Sequence, residues 1–235
     1  MIDRFDGLER IVHWVTAVLM IVLLATGSIL YIPSLMLQVG HRAVIANIHV
    51  FSGLALLAPI AIGLAGPWRG ALLSDVRRLD RWLPADFGWF RGREHRLALR
   101  VGKFNGGQKL SAAIFAGAMV GMLVTGIVMR WSPPFPVDWA TGATLVHDIG
   151  YIVLFAIVVG HVAIALGRPE QMRSMLSGKI PQAWAERHAP AWLDGTDLGP
   201  RSRLSRPGRS RARPRPRPNA PRDEAAPRDT TPVSG

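Results

Sequence analysis

Cysteine is absent from all 235 residues, and acidic side chains are nearly absent from the long apolar runs. Without a thiol the chain can form no disulfide, bind no iron–sulfur cluster through thiolates and attach no c-type haem covalently. Any redox centre must rest on histidine or methionine. The scarcity of intramembrane carboxylates argues in turn against a proton relay or transporter site, which would pair its histidines with Asp or Glu. Asp148 is the single acidic residue within the runs, at the end of one of them.

Those runs cover residues 11–31, 43–66, 111–129 and 146–166, each close to the roughly 20 residues that a spanning helix needs. They predict an all-α integral membrane protein, a bundle of four transmembrane helices. The first run is too long for the apolar part of a signal peptide and no small-x-small cleavage site follows it, so we expect it to be retained. Gly117-x-x-x-Gly121 in the third run reads as close helix packing. No internal repeat stands out.

The formal net charge of +12 is segregated from the apolar runs. The connection 67–110 holds Arg69, Arg77, Arg78, Arg81, Arg91, Arg93, Arg96, Arg100, Lys103 and Lys109, and Arg168, Arg173 and Lys179 follow the fourth run; the other two connections offer only Arg42 and Arg130. The positive-inside rule then puts both termini and the central loop in the cytoplasm of a bacterial inner membrane. Trp14, Trp68, Trp131 and Trp139 lie near helix ends, as interfacial anchors do. We divide the chain into a membrane domain, 1–193, and an Arg/Pro-rich tail, 194–235. From Arg201 onward ten arginines stand against Asp223, Glu224 and Asp229, a net +7, and the stretch Arg213–Pro218 alternates Arg with Pro. Such a composition predicts disorder. Beside a membrane it suits solvation and adhesion to anionic lipid better than specific binding of nucleic acid.

Histidine is expensive in hydrocarbon and binds metals well, so a transmembrane histidine is a functional candidate. His147 and His161 are 14 positions apart in the fourth run. That spacing gives about 21 Å of rise and falls about 40° short of four turns, so the two share a helix face at different depths. His13 begins the outward first helix and His49 lies early in the inward second. Depth therefore sorts the four into His49 with His147 outside and His13 with His161 inside. No single metal ion can collect ligands from both faces, which excludes one four-histidine zinc or copper site. Bis-histidine haem b at two levels fits. One turn after each histidine stands a small residue, Ala17, Gly53, Gly150 or Ala165, which would clear a porphyrin. Arg10, Arg42 and Arg130 could pair with propionates, although interfacial arginines more often only snorkel. His41, His95 and His188 fall in loops and read as structural or solvated.

Before the third helix, Lys103-Phe-Asn-Gly-Gly-Gln-Lys109 lies at the level of the inner pair. Its glycines allow close approach of a ligand, Asn105 and Gln108 supply amide donors, and its lysines supply positive charge, all of which suit a quinone being reduced. A turn followed by a helix start explains the same residues and is the more ordinary account. The segment, however, resembles the Lys-Tyr-Asn-Ala-Gly-Gln-Lys motif of the cytochrome b (gamma) subunit of membrane-bound formate dehydrogenase. The likeness runs from Arg4 through His13-Trp14, His49, the loop, His147 and His161 to Gly178-Lys-Ile-Pro-Gln-Ala-Trp-Ala-Glu-Arg-His188. Phe104 and Gly106 depart from the motif.

The resemblance implies two haem b groups, the outer held by His49 and His147 and the inner by His13 and His161, and a quinone site at Asn105, Gly107 and Gln108 with His161 close by. It implies a membrane anchor that takes electrons from a periplasm-facing iron–sulfur (beta) subunit and reduces menaquinone or ubiquinone on the cytoplasmic side. Formate chemistry would reside in a molybdenum- or tungsten-containing (alpha) subunit. The same cytochrome could instead serve a hydrogenase or a thiosulfate-type reductase. A non-haem transporter or proton channel is the reading from another class.

Overall fold

The computed structural model describes residues 1–66, 69–92 and 100–199. Trp68, Arg93, His95, Arg96 and the Arg/Pro-rich tail from Arg201 lie outside the described residues. Four helical spans dominate the chain: α1 (Gly7–Tyr31), the pair α3 (Arg42–Ala55) and α4 (Leu57–Ala65), α7 (Gly106–Arg130) and α8 (Val137–Leu166). Shorter helices fill the connections: α2 (Pro33–Val39), α5 (Arg69–Asp80), α6 (Pro84–Phe90), α9 (Pro169–Ser177), α10 (Gln182–His188) and α11 (Pro190–Leu193). The chain is thus an all-α membrane protein built on a four-helix bundle. Its long helices leave large apolar side chains outward, including Val18, Ile21, Phe51, Val120, Ile152 and Ile164. Water would penalise such a surface; hydrocarbon does not.

Local chemistry sets where the spans begin and bend. Asp6 caps α1: its Oδ1 accepts from the Glu9 N–H at 2.7 Å while Glu9 Oε2 accepts from the Asp6 N–H at 2.8 Å, a reciprocal capping box. Asn105 and Gln108 cap α7 in the same way, so that helix starts five residues before its apolar run. The second span breaks at Leu56, whose N–H donates to Gly53 O at 3.3 Å in a tightened turn. Pro59 then offers no donor to the turn before it. α8 starts at Val137, well ahead of the apolar run, so Asp148 lies inside the helix and not at its end.

α1 packs on α3 and α7 on α8, while α1 also meets α8 and α3 meets α7. At one end of this ring the elements α5, α6 and α9–α11 form a cap. The N-terminal strand β1 (Ile2–Asp3) is stapled there against β2 (Lys179–Ile180) in antiparallel register, Ile2 opposite Ile180. Arg4 and Phe5 N–H both donate to Gly178 O. Gly178 is required at this joint: its φ is +81°, and a methyl group on it would lie 2.6 Å from Phe5 O.

The cap holds most of the fully buried side chains, and many of them are charged. Lys103 pairs with Asp75 and lies 3.7 Å from Glu9. Arg78 bridges Asp75 at 2.8 Å and Asp197 at 3.2 Å. Burial pulls the Lys103 ammonium below its usual pKa, against the opposing pull of Asp75 and Glu9. Burial likewise lowers Arg4 to about 10. Lys109 Nζ meets Asp86 Oδ2 at 2.5 Å and Arg81 O at 2.7 Å. The connection 67–110 is therefore no simple loop. The expected tail boundary also moves. Residues 194–199 are packed, because the buried Asp197 accepts from Arg78 and from the Lys103 N–H, a pairing that composition does not reveal.

Asp86 is fully buried, and its Oδ2 also accepts from Leu83 N–H at the start of α6. Asp86→Ala should destabilise the detergent-solubilised protein by about 3–5 kcal/mol, because it leaves the Lys109 charge buried without a partner. The double variant Asp86→Leu, Lys109→Met should recover most of that loss in thermal unfolding, since no lone charge remains. Equal instability of the two would show that the ion pair itself is not the cause.

Candidate functional site

The four transmembrane histidines meet in two pairs. His13 on α1 faces His161 on α8 with ring centroids 6.4 Å apart, towards the capped end. His49 on α3 faces His147 on α8 with centroids 6.2 Å apart, towards the open end. An imidazole nitrogen lies about 2.0–2.1 Å from a bound metal and ~1.1 Å from its own ring centroid, so two rings on opposite sides of one metal have centroids about 6.2 Å apart. Both pairs have a separation at which one metal ion could be held between two imidazoles. Among the described residues no group of three or more His, Asp or Glu is placed to hold an ion, so the protein alone does not complete a zinc-like shell. A porphyrin would supply the remaining nitrogen ligands that such pairs lack.

The surroundings of the two pairs differ. At the open end Thr26 Oγ1 lies 2.8 Å from His49 Nδ1, and Thr125 Oγ1 lies 2.9 Å from His147 Nδ1. At the capped end aromatic edges pack the rings, Trp14 against His13 and Phe115 against His161. The clearance expected one turn after the histidines is only partly in those positions. A methyl on Gly150 would collide with Met122 Sδ at 2.5 Å, so that glycine lets α8 approach α7, while one on Gly53 would make only an ordinary contact with Leu23 at 3.7 Å. The residues beside the rings are Gly27 and Gly126, where a methyl would lie 3.4 Å from His49 Cε1 and His147 Cε1 respectively. Gly117 and Gly121 have nothing within 4 Å of such a methyl. They face away from neighbouring helices of this chain and do not mediate the close packing expected of them.

The Lys103–Lys109 segment is first of all a helix start. Asn105 Oδ1 accepts from Gln108 N–H at 3.0 Å, Gln108 Oε1 accepts from Asn105 N–H at 3.1 Å, and Gln108 Nε2 donates to Gln171 Oε1 at 3.3 Å. Both lysines are consumed by buried carboxylates and supply no free charge to a ligand, contrary to expectation. A methyl on Gly107 would strike Trp89 and one on Gly106 would lie 2.5 Å from Asp86 O, so these glycines let α7 seat against α6. A cleft nevertheless adjoins the segment. It has a volume of about 330 Å³, and its walls include Asn105, Gln108, Trp89, Gln171, Trp184 and His188. Gly107 is not in its wall. His161 is not either; the cleft meets the chain just beyond the end of α8, at Gly167 and Arg168.

Within the cleft the capping geometry orients Asn105. Its Oδ1 must face the Gln108 N–H, so its Nδ2 points the other way and makes no hydrogen bond among the described residues. Trp184 and His188, one turn apart on α10, stack with centroids 4.8 Å apart. They lie far along the chain from the motif, and only the fold unites them with it. Arg10 is committed elsewhere, its Nη1 donating to Leu176 O at 2.6 Å, and Arg130 lies over the Trp131 ring. His41 sits at a turn with φ of 52°.

Neither Thr26 nor Thr125 stands out in the sequence, because hydroxyls in transmembrane helices commonly bond their own backbone. The legible signal is a recurrence: Thr-Gly stands 23 residues before His49 and 22 before His147.

Known proteins resemble the chain along most of its length. The cytochrome b556 subunit of the nitrate-inducible formate dehydrogenase of Escherichia coli K12 is 25% identical over 208 residues, covering 82% of this chain and 90% of that protein. A second Escherichia coli K12 protein, the formate dehydrogenase cytochrome b556(fdo) subunit, is 26% identical over 204 residues, covering 81% and 91%. The formate dehydrogenase cytochrome b556 subunit of Haemophilus influenzae is 27% identical over 191 residues, covering 78% of each. The profile of the prokaryotic cytochrome b561 family matches residues 4–178, a span that includes all four paired histidines. The chain belongs to the prokaryotic cytochrome b561 family, the membrane cytochromes b.

Proposed function

We propose that this chain is the di-haem cytochrome b anchor of a formate dehydrogenase, carrying electrons from an iron–sulfur subunit at the open end to quinone at the capped end. The observation that carries the reading is the pair of imidazole pairs, 6.2 and 6.4 Å between centroids, at two depths of one bundle. His49 and His147 would hold the outer haem b and His13 and His161 the inner. When bound, the haems supply one-electron carriers. In this reading the capped end, which bears the basic connection and the N-terminus, is cytoplasmic in a bacterial inner membrane.

The chain's own residues define the acceptor end. Asn105 Nδ2 is the donor left over by the α7 cap, and Asn105 lines a cleft with aromatic walls at Trp89 and Trp184, of a size to admit a quinone ring. Gln108, held by Gln171, closes one side, and Gly107 lets α7 approach Trp89. Menaquinone and ubiquinone both fit this chemistry. Formate dehydrogenase is favoured as the complex because the similar proteins are subunits of that enzyme. Formate oxidation would then belong to a molybdenum- or tungsten-containing catalytic subunit, reached through the iron–sulfur partner.

A reduced-minus-oxidised spectrum of the detergent-purified chain should show b-type bands, with two haems per chain by pyridine haemochrome assay. Absence of a reducible haem b would end this reading. His49→Ala should remove one haem and leave the other reducible by quinol; loss of both in a folded variant would count against independent pairs. Asn105→Asp keeps a good helix cap but replaces the donor in the cleft by an acceptor. It should slow quinol-dependent haem reduction about tenfold, the worth of one hydrogen bond to a ligand gaining charge, with the haem content unchanged. An unchanged rate would remove Asn105 from the quinone site.

A further inference from the structure

The two open-end histidines are each gripped in the same way by a Thr-Gly pair on a neighbouring helix. Thr26 Oγ1 donates to Val22 O at 2.7 Å, and Thr125 Oγ1 donates to Gly121 O at 2.8 Å. A hydroxyl has one proton. Directed elsewhere, it would leave an oxygen lone pair facing a carbonyl oxygen at contact distance, which is repulsive. Each Oγ1 can then only accept from the imidazole, so the contacts at 2.8 and 2.9 Å are Nδ1–H donations from His49 and His147. That settles the tautomer: Nε2 carries the lone pair and is free to ligate. Gly27 and Gly126, the next residues, leave the Cε1 edge of each ring uncrowded.

The recurrence is structural as well as sequential. Thr26-Gly27 on α1 grips His49 on α3, and Thr125-Gly126 on α7 grips His147 on α8, so each helical hairpin carries one copy of the device. Nothing comparable meets the other pair. Among the described residues no hydrogen bond reaches a ring nitrogen of His13 or His161, which are packed by Trp14 and Phe115 instead.

We infer that Thr26 and Thr125 are positioning residues that hold the outer haem's axial histidines as Nδ1–H donors and so set that haem's potential below the inner one's. The inference rests on the di-haem reading. An imidazole that donates from Nδ1 is more electron-rich at Nε2, a stronger base towards ferric iron, and second-shell hydrogen bonding of this kind is one of the levers on haem potential. Two such bonds on one haem and none on the other bias electrons from the open end to the capped end.

The test is a spectroscopic redox titration of the full-length chain in detergent, compared among wild type, Thr26→Val, Thr125→Val and the two Thr→Ser variants. Valine keeps the shape and removes the hydroxyl acceptor, leaving only the Leu23 and Met122 carbonyls beside the two rings; serine restores the hydroxyl. Each Thr→Val change should raise the potential of one haem, the same one in both variants, and change its low-spin electron paramagnetic resonance signal. The other haem should not move. The double Thr→Val variant should shift further, and each serine variant should titrate like wild type. Loss of one haem in a Thr→Val variant with retention in its serine counterpart also supports the assignment. A downward shift, no shift, movement of different haems by the two variants, or serine behaving as valine would overturn it while leaving the di-haem reading intact. A wild-type chain without two reducible haems would overturn both.

Discussion

A polar group inside hydrocarbon has no solvent to turn to, so the protein must supply every partner it has. This constraint organises the bundle. Among the described residues, the hydroxyls of Thr26, Ser28 and Thr125 are each tied to a carbonyl on their own helix. Each also bonds a side chain on another helix, His49, Tyr151 or His147. One hydroxyl thereby satisfies itself and fixes a ring on another helix. The histidines in turn face one another in two pairs, with ring centroids 6.2 and 6.4 Å apart. Site and packing at the open end are one set of contacts.

The capped end obeys the same rule by different means. There the chain buries full charges, most of them balanced by a counter-charge: Lys103 by Asp75 and Glu9, Lys109 by Asp86, Arg78 by Asp75 and Asp197, while the buried Arg4 donates to Ser174 Oγ and the Lys103 carbonyl. Buried pairs of this kind contribute little net stability but penalise any arrangement that separates them. They join α1, α5, α6, α7 and the 194–199 segment into one platform. The cleft beside Asn105 is formed on it. The lysines that a residue-type reading would aim at a ligand are thus consumed in holding the walls of the cleft together.

Much of this was legible in the sequence, for physical reasons that also mark its limits. Four apolar runs with hardly a carboxylate imply four spans, and the 14-residue spacing of His147 and His161 implies two levels, because helix geometry and the cost of polar groups in lipid act locally. Pairings between distant segments are different. That Lys109 would find Asp86, that Asp197 would fold back on Arg78, or that Trp184 and His188 would wall the cleft depends on the path of the connections. Glycine misled in both directions. Gly150 lies against Met122, and a methyl on Gly117 or Gly121 would touch nothing within 4 Å, because small residues are equally at home in lipid contact, helix contact and ligand clearance. The Thr-Gly recurrence is visible in the sequence only once the histidine at the other end of each hairpin is known to matter.

α8 is the element on which both levels depend. It is a 30-residue helix with no proline in its interior, and it contributes one histidine to each pair, so the vertical offset of the two sites is the rise of a single continuous helix, about 21 Å. The partner histidines come from two other helices, α1 and α3, which are packed on each other. A rigid rod on one side and a packed hairpin on the other leave the separation between levels little freedom to change. What can differ between the levels is chemistry: threonine hydroxyls at one, aromatic edges at the other. Distance is therefore set by backbone geometry, while any bias in direction must come from the side chains around each ring.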